Sequence, residues 1–368
     1  MRDSLYSRRA FLKQSVIASL GLYLQACAPS RLQIDTSQWA LEEIPDFSDE
    51  NVIRHVAGIR PYREKQIRLE ATEVGGKNII HNYGHGGAGY TVAWGCAEIA
   101  AEWAAAKASA REPVAVLGAG VIGLSTARVL QERGYSVNIY AKAFSPRVTS
   151  DLAGAQWSPS SIAYGDTNEE KRLFSEILIR SYRRYERMDG CRYGIRTRLN
   201  YVAEGWGGPL DTVPSGLIPP VQHLERLPFP GAPHRGDLFR TFLIEPPIYM
   251  PALVHDVRGA GAKFKTSEFM SADDIQKLSE KTVLNCMGLG SGAVFSDSLL
   301  KPIRGHLVHL KTKSELPYLL LHEGYVFPRR DAIVLGGTWE EGVSDPTPNL
   351  LTGQKILELN RRFFTGES

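Results

Sequence analysis

Between residues 112 and 142 the chain passes from a short apolar run, Val114-Ala115-Val116-Leu117, into Gly118-Ala119-Gly120-Val121-Ile122-Gly123. A helical stretch to Arg133 follows, closed by Gly134, and then Ser136-Val137-Asn138-Ile139-Tyr140 reads as a second strand. Three glycines spaced this way between a strand and a helix predict a parallel α/β unit that holds a dinucleotide. Gly118 permits the tight turn, Gly120 lets a pyrophosphate approach the backbone, and Gly123 lets helix and strand pack closely. The first helical turn, at Val121 and Ile122, offers unpaired N–H groups to phosphate oxygens. An acid expected at the end of the second strand, to bond a ribose hydroxyl, is replaced by Lys142, which weakens NAD as the ligand.

The remaining composition bounds the setting. With 368 residues, 43% of them apolar and 23% charged, the chain has material for one large folded domain or two interleaved ones. A net charge of +3 gives no ground for a nucleic-acid partner. Four bases and one acid fall in the first 26 residues (Arg2, Asp3, Arg8, Arg9, Lys13), so the rest of the chain is formally neutral. Ser7-Arg8-Arg9-Ala10-Phe11-Leu12-Lys13 matches a twin-arginine export signal, and Val16–Leu24 is an apolar run about half the ~20 residues a membrane span needs. Leu24-Gln25-Ala26-Cys27 then resembles a lipobox. The expectation is a signal over 1–26, a lipid anchor at Cys27, a polar tether over 27–44 and an extracytoplasmic location. Cys96, Cys191 and Cys286 are widely spaced, with no CxxC, so neither a disulfide framework nor a metal centre is expected. His81 and His85 sit four apart, but in glycine-rich sequence, and do not read as a metal pair.

Helices are expected over 168–188 and from the Pro-rich start at 245 through Arg258. Residues 205–237 hold 13 Gly or Pro out of 33 and read as a loop-rich connection or a cover over a site.

Beyond the glycine-rich unit the sequence resembles a known family. Phe144-Ser145-Pro146 and Thr149-Ser150-Asp151-Leu152-Ala153-Gly154-Ala155-Gln156-Trp157 extend a match to the D-amino-acid oxidase and D-aspartate oxidase family. Leu284-Asn285-Cys286-Met287-Gly288, Lys301-Pro302-Ile303-Arg304-Gly305-His306, Tyr325-Val326-Phe327-Pro328 and Leu335-Gly336-Gly337 fall in family order. Two more blocks, Gly58-Ile59-Arg60-Pro61-Tyr62-Arg63 and the specific His81-Asn82-Tyr83-Gly84-His85-Gly86-Gly87, look like that family's carboxy-terminal motifs. Here they precede the glycine-rich turn. The chain therefore reads as a circular permutant, with Ala104–Glu112 joining the usual ends and new ends near 45 and 368.

The resemblance implies an α/β fold: a Rossmann-like FAD-binding domain interleaved with an α+β substrate domain on a mixed sheet. The FAD domain would combine 74–165 with 280–297, and the substrate domain 45–73 with 166–279 and 298–368. It further implies FAD as cofactor, Arg60 and Tyr325 as carboxylate partners and the Gly87 carbonyl as acceptor for the substrate amine. Flavin contacts would come from Gly86, Gly87, Ala88, Gly89, Tyr90 and Thr91 at a helix start, from Thr149 and Ser150 at the phosphates, and from Gly154, Ala155 and Gln156 at the ring. A second family tyrosine, four residues before Tyr325, is replaced by Leu321. The implied reaction is oxidation of a D-amino acid to an imine that hydrolyses to a 2-oxo acid and ammonia, with O₂ as electron acceptor and hydrogen peroxide as its product. A quinone-linked amino-acid dehydrogenase and a flavin-binding protein without catalysis are the alternatives.

Overall fold

The computed structural model describes residues 42–108, 112–206, 210–231 and 235–366. The export signal, Cys27, most of the tether and residues 109–111 of the expected join lie outside the described residues. In chain order the strands are β1 (Val52–Arg63), β2 (Arg68–Val74), β3 (Lys77–Tyr83), β4 (Val114–Leu117), β5 (Val137–Ala141), β6 (Ile195–Ala203), β7 (Gln222–Leu224) and β8 (Gly236–Ile244). They continue with β9 (Lys263–Thr266), β10 (Thr282–Asn285), β11 (Leu300–Leu310), β12 (Tyr318–Leu321), β13 (Tyr325–Pro328), β14 (Ile333–Gly336) and β15 (Glu340–Glu341). The helices used below are α1 (Gly89–Ala105), α2 (Val121–Glu132), α3 (Asn168–Arg187), α4 (Pro246–Gly259) and α5 (Leu350–Thr365).

A six-stranded sheet runs β2-β3-β10-β4-β5-β9, parallel throughout except for the β2–β3 hairpin. All four residues of β4 are fully buried, as a central parallel strand covered on both faces requires. The helix α1 is apolar nearly all round (Val92, Ala93, Trp94, Cys96, Ala97, Ala100 and Ala101 show no exposure), so it can only be an interior helix. It packs against α2 and α3. The crossing with α3 is close: a side chain at Gly95 would sit 2.1 Å from the Ile177 carbonyl oxygen. In α3 the buried residues Phe174, Ile177, Leu178, Ser181, Tyr182 and Tyr185 form one stripe, and a Thr167–Glu170 capping box closes its start.

The second sheet is nine-stranded, in the order β1-β11-β14-β13-β12-β6-β8-β7, with β15 added on β11. It is mixed: β12 lies parallel to β6, and the other pairs are antiparallel. Strand β1 follows β11 down to Arg63↔Leu300, which places Arg60 opposite Ile303.

Two stretches fall in a different sheet from the one the sequence suggests. Residues 68–73, assigned with 45–73 to the substrate part, belong to β2 and pair with β3 through a turn at Gly75-Gly76. Strand β9, inside 166–279, extends the dinucleotide-type sheet beside β5. In both cases backbone pairing with a long-range neighbour decides membership, and a motif boundary does not encode it. The expected helices at 168–188 and 245–258 are α3 and α4. Among the described residues the 205–237 stretch holds the short β7, a 3₁₀ turn and the first two residues of β8. Cys96 and Cys286 are buried free thiols and Cys191 is exposed.

Candidate active site

The glycine-rich turn forms as its residue types demand. Gly118 has φ +104°, and a side chain there would meet the Cys286 carbonyl oxygen at 2.3 Å. A side chain on Gly123 would lie 2.1 Å from the Gly118 oxygen, so α2 and β4 come as close as backbone allows. Ser150 Oγ accepts the Val121 N–H at 2.9 Å and lies 3.1 Å from where a Gly120 side chain would begin, so the hydroxyl loop 149–152 is docked on this helix start. Thr149 is exposed and Ile122 half-buried.

A second helix start arrives at the same place. A side chain on Gly89 would be 3.5 Å from Val121 Cγ1, so α1 and α2 open side by side. Two positive helix ends converging on one spot favour a bound pyrophosphate or an electron-rich ring edge. The loop into α1 is rigidly held: Gly86 N–H bonds the Pro61 oxygen and Gly87 N–H the Ser161 oxygen, each at 2.9 Å. Gly86 has φ +54° and abuts Ser161, which explains its residue type. Ala88 is buried and its N–H turns back to His85. Tyr90 donates its hydroxyl to the Ser150 oxygen at 3.0 Å, and Thr91 donates to the Ser158 oxygen at 2.7 Å. These two hydroxyls therefore tie the loops of the site to one another. Burial raises the Tyr90 phenol well above its ordinary value, so it stays a donor.

Arg60 projects from β1 into this setting. Its Cδ lies 3.6 Å from where a side chain on the exposed Gly87 would start, and the terminal nitrogens are 2.4 Å from the corresponding point of Gly305. Only glycine at 305 leaves room for the guanidinium. Nη1 donates to the Thr338 oxygen at 2.9 Å, and the Trp339 ring centre is 6.0 Å from the guanidinium carbon. Tyr325 stands beside it: burial raises the phenol pKa and the Arg60 charge pulls it back down. The Tyr325 ring fills the space over Gly336 and Gly337, where side chains would approach within 2.2 and 2.7 Å, and stacks on Phe327 at 4.4 Å.

Gly154 is pressed against Phe327 and Tyr325, at 2.7 and 3.3 Å from a would-be side chain. Ala155 adopts φ +61° and its oxygen accepts the Ile244 N–H. Gln156 is buried opposite Leu243, and its Nε2 has no hydrogen-bond partner within the protein. An orphaned buried amide at the expected ring contact, two helix starts side by side and a line of bare glycines together fit a flavin dinucleotide.

Leu321 pairs directly with Tyr325 across β12–β13 and packs in an apolar cluster, so no polar group stands there. Lys142 is exposed, 3.5 Å from Glu268. No group of metal-binding side chains occurs among the described residues. His81 is engaged by Thr72 and Asn285. The sequence reading passed over Ser161, which holds Gly86 and Gly87, and Thr338 and Trp339 beside Arg60. It also passed over Arg329, a buried guanidinium that links Asp331 to the Ala153 oxygen. The signal for Thr338 and Trp339 was present, since they follow the noted Gly336-Gly337 pair directly.

Buried histidines set an acid limit on the fold. Burial lowers the pKa of His81 to about 4, of His85 to about 3 and of His309 to about 4. An unfolded chain takes up these protons below about pH 6.5 and the native one does not, so stability falls as pH drops through that window toward 4. Urea unfolding of the apoprotein is expected to lose roughly 2 kcal/mol per neutral histidine between pH 7 and pH 5. A flat pH dependence over that range would show that these rings charge freely in the native state.

The sequence profile of the FAD dependent oxidoreductase (DAO) family matches residues 28–103 and 113–367 of this chain. The chain belongs to that family and binds FAD. It is 28% identical over 247 residues to the D-amino-acid oxidase of Streptomyces coelicolor, covering 64% of this chain and 73% of that one. It is 26% identical over 258 residues to human D-aspartate oxidase, covering 66% and 73%. Among solved structures, glycine oxidase from Bacillus cereus shares the fold with a TM-score of 0.53 at 19% identity, over 70% of this chain and 79% of that one.

Proposed function

We propose that the protein oxidises D-amino acids to imines, which hydrolyse to 2-oxo acids and ammonia, with O₂ as terminal acceptor and hydrogen peroxide as its product. The observation that carries this is the meeting of the half-buried Arg60 and Tyr325 with the exposed Gly87 beside two helix starts. Bound FAD supplies the two-electron acceptor for the Cα hydrogen. Arg60 grips the substrate carboxylate with its planar fork and Tyr325 adds a phenol donor. The Gly87 carbonyl accepts from the amine, which fixes the third corner and so the hand of the substrate. A neutral amine suffices for hydride departure, so the site needs no separate general base.

The D configuration rests on relatives bearing the names D-amino-acid oxidase and D-aspartate oxidase. A neutral side chain suits the walls better than an acidic one. Arg63 is paired with Asp297 and Arg304 with Glu340, while Trp339, Tyr62 and Phe327 surround the clamp with aromatic surface. Peroxide release in air from neutral D-amino acids, with none from their L forms, is the expected result. Equal turnover of both hands, or of L forms alone, would refute it.

The chain order is read as a circular permutation. Support comes from the family profile, whose match breaks between 103 and 113 where Ala104–Glu112 would join the usual ends. Export by the twin-arginine route and lipidation at Cys27 remain part of the proposal, and they would place a quinone within reach as an alternative acceptor. Cys27→Ser is expected to move the protein from the membrane to the soluble fraction, and retention in the membrane fraction would contradict lipid anchoring.

A further inference from the structure

Behind Arg60 lies a closed set of polar contacts that the proposed chemistry does not itself use. Thr338, whose carbonyl takes the Arg60 Nη1 hydrogen bond, is fixed through its own side chain. Its Oγ1 accepts the backbone N–H of His306 at 3.0 Å and donates to Glu340 Oε1 at 3.2 Å. Glu340 is held on its other oxygen by Arg304, with Nε at 3.1 Å and Nη2 at 2.6 Å, and its Oε1 lies 2.7 Å from His306 Nδ1. His306 is buried, and its Nε2 accepts the Asn349 N–H at 2.9 Å. That bond makes Nε2 an acceptor and puts the ring hydrogen on Nδ1, facing Glu340. Asn349 also caps α5, so the far end of the network is anchored on a helix. The strands repeat the arrangement: β15 pairs Glu340 with Arg304, and β1 pairs Arg60 with Ile303.

A guanidinium binds a carboxylate bidentately only if its plane is already turned to meet it. Four groups limit that plane: the Gly305 backbone, the Trp339 ring, the Tyr325 side chain that hydrogen-bonds it, and the Thr338 carbonyl at Nη1. Thr338 is the one of these whose position depends on side-chain bonds, all of which lead to Glu340 and His306. We infer that Thr338 and Glu340 are positioning residues for substrate binding: the Arg304–Glu340–His306 set holds the Thr338 carbonyl so that Arg60 presents its fork to the carboxylate. This rests on the reading of Arg60 as the carboxylate clamp. In the absence of the network the guanidinium swings between Thr338 and solvent, and substrate must fix it on arrival at the expense of affinity.

The test compares Thr338→Val, Glu340→Ala, Glu340→Gln and Arg60→Ala in the FAD-loaded enzyme. Benzoate serves as a simple carboxylate probe, its dissociation constant read from the change in flavin absorbance. Thr338→Val and Glu340→Ala are each expected to raise KM about tenfold and to weaken benzoate by the same factor. kcat should stay within about twofold and the FAD dissociation constant should not move, a pattern that general loosening would not give. Glu340→Gln keeps an acceptor oxygen for only one side of the network and turns an amide N–H toward donors on the other, so it should recover part of the lost affinity at most. Unchanged KM and benzoate binding in both Thr338→Val and Glu340→Ala, with Arg60→Ala impaired, would overturn the positioning role while sparing the clamp. If Arg60→Ala is also unimpaired, the clamp itself is wrong and the inference falls with it. Should Glu340→Ala fail to fold, the near-isosteric Thr338→Val decides the matter alone.

Discussion

Replacing Arg60 by alanine is expected to raise KM for a D-amino acid by roughly 30-fold to several thousand-fold, as loss of a desolvated bidentate charge contact costs about 2–5 kcal/mol. The side chain crosses bare backbone at Gly305 and passes close to Gly87. Arg60→Lys recovers little, because a single ammonium cannot reproduce the fork and would leave the Thr338 carbonyl poorly met. FAD binding stays intact in both variants, since the contacts that fit the dinucleotide come from other elements. Stopped-flow flavin reduction over a range of substrate concentrations separates the binding term from the reduction step. An unchanged apparent affinity would remove Arg60 from the site.

Gly123→Ala has the second large effect. The new methyl group would lie 2.1 Å from the Gly118 oxygen, and Gly118 cannot retreat because it is itself packed against the Cys286 carbonyl. Either α2 lifts off β4 or the turn distorts; both displace the helix start that Ser150 and Gly89 meet. The apoprotein is expected to lose about 3 kcal/mol, near the upper end for overpacking, and FAD affinity to fall at least about 100-fold. Gly259→Ala is the control: it lies at the end of α4 with nothing within 4 Å, and should change neither quantity much. Fluorescence titration of apoprotein with FAD reads the difference. Equal FAD affinity in Gly123→Ala and the parent would mean that the glycine-rich turn is not the cofactor cradle.

Much of the site was legible because its residue types answer to local backbone geometry. Gly118, Gly120 and Gly123 stand where a tight turn and a close helix–strand contact demand them, and that demand is written in a span of six residues. Arg60, Gly87 and Tyr325 were legible only through their motifs. They lie on β1, the loop before α1 and β13, and no local pattern in the chain says that these meet. The membership of β2 and β9 was misread for a related reason. A four-residue strand such as β9 carries no mark of which sheet it joins, and pairing with β5 across more than a hundred residues settles it. Ser161 and Thr338 meet Gly87 and Arg60 through their carbonyls, which any residue's backbone can offer, and Arg329 is tied to Asp331 and to the distant Ala153 oxygen, a pairing that only the fold reveals. Leu321 shows the opposite case: the sequence marked a missing tyrosine, and pairing with Tyr325 puts the leucine in apolar packing with no polar substitute.

Glycine-rich turn, hydroxyl loop and carboxylate clamp together make one claim: a D-amino acid bound at Arg60 delivers two electrons to the protein's own flavin. Anaerobic mixing of the yellow, FAD-loaded protein with a panel of neutral D- and L-amino acids tests it most directly. Bleaching of the flavin's visible absorbance by D forms, saturable with substrate and abolished at the same concentrations in Arg60→Ala, is the expected result. A flavin that stays oxidised with every D-amino acid, or that is bleached by L forms instead, would contradict it.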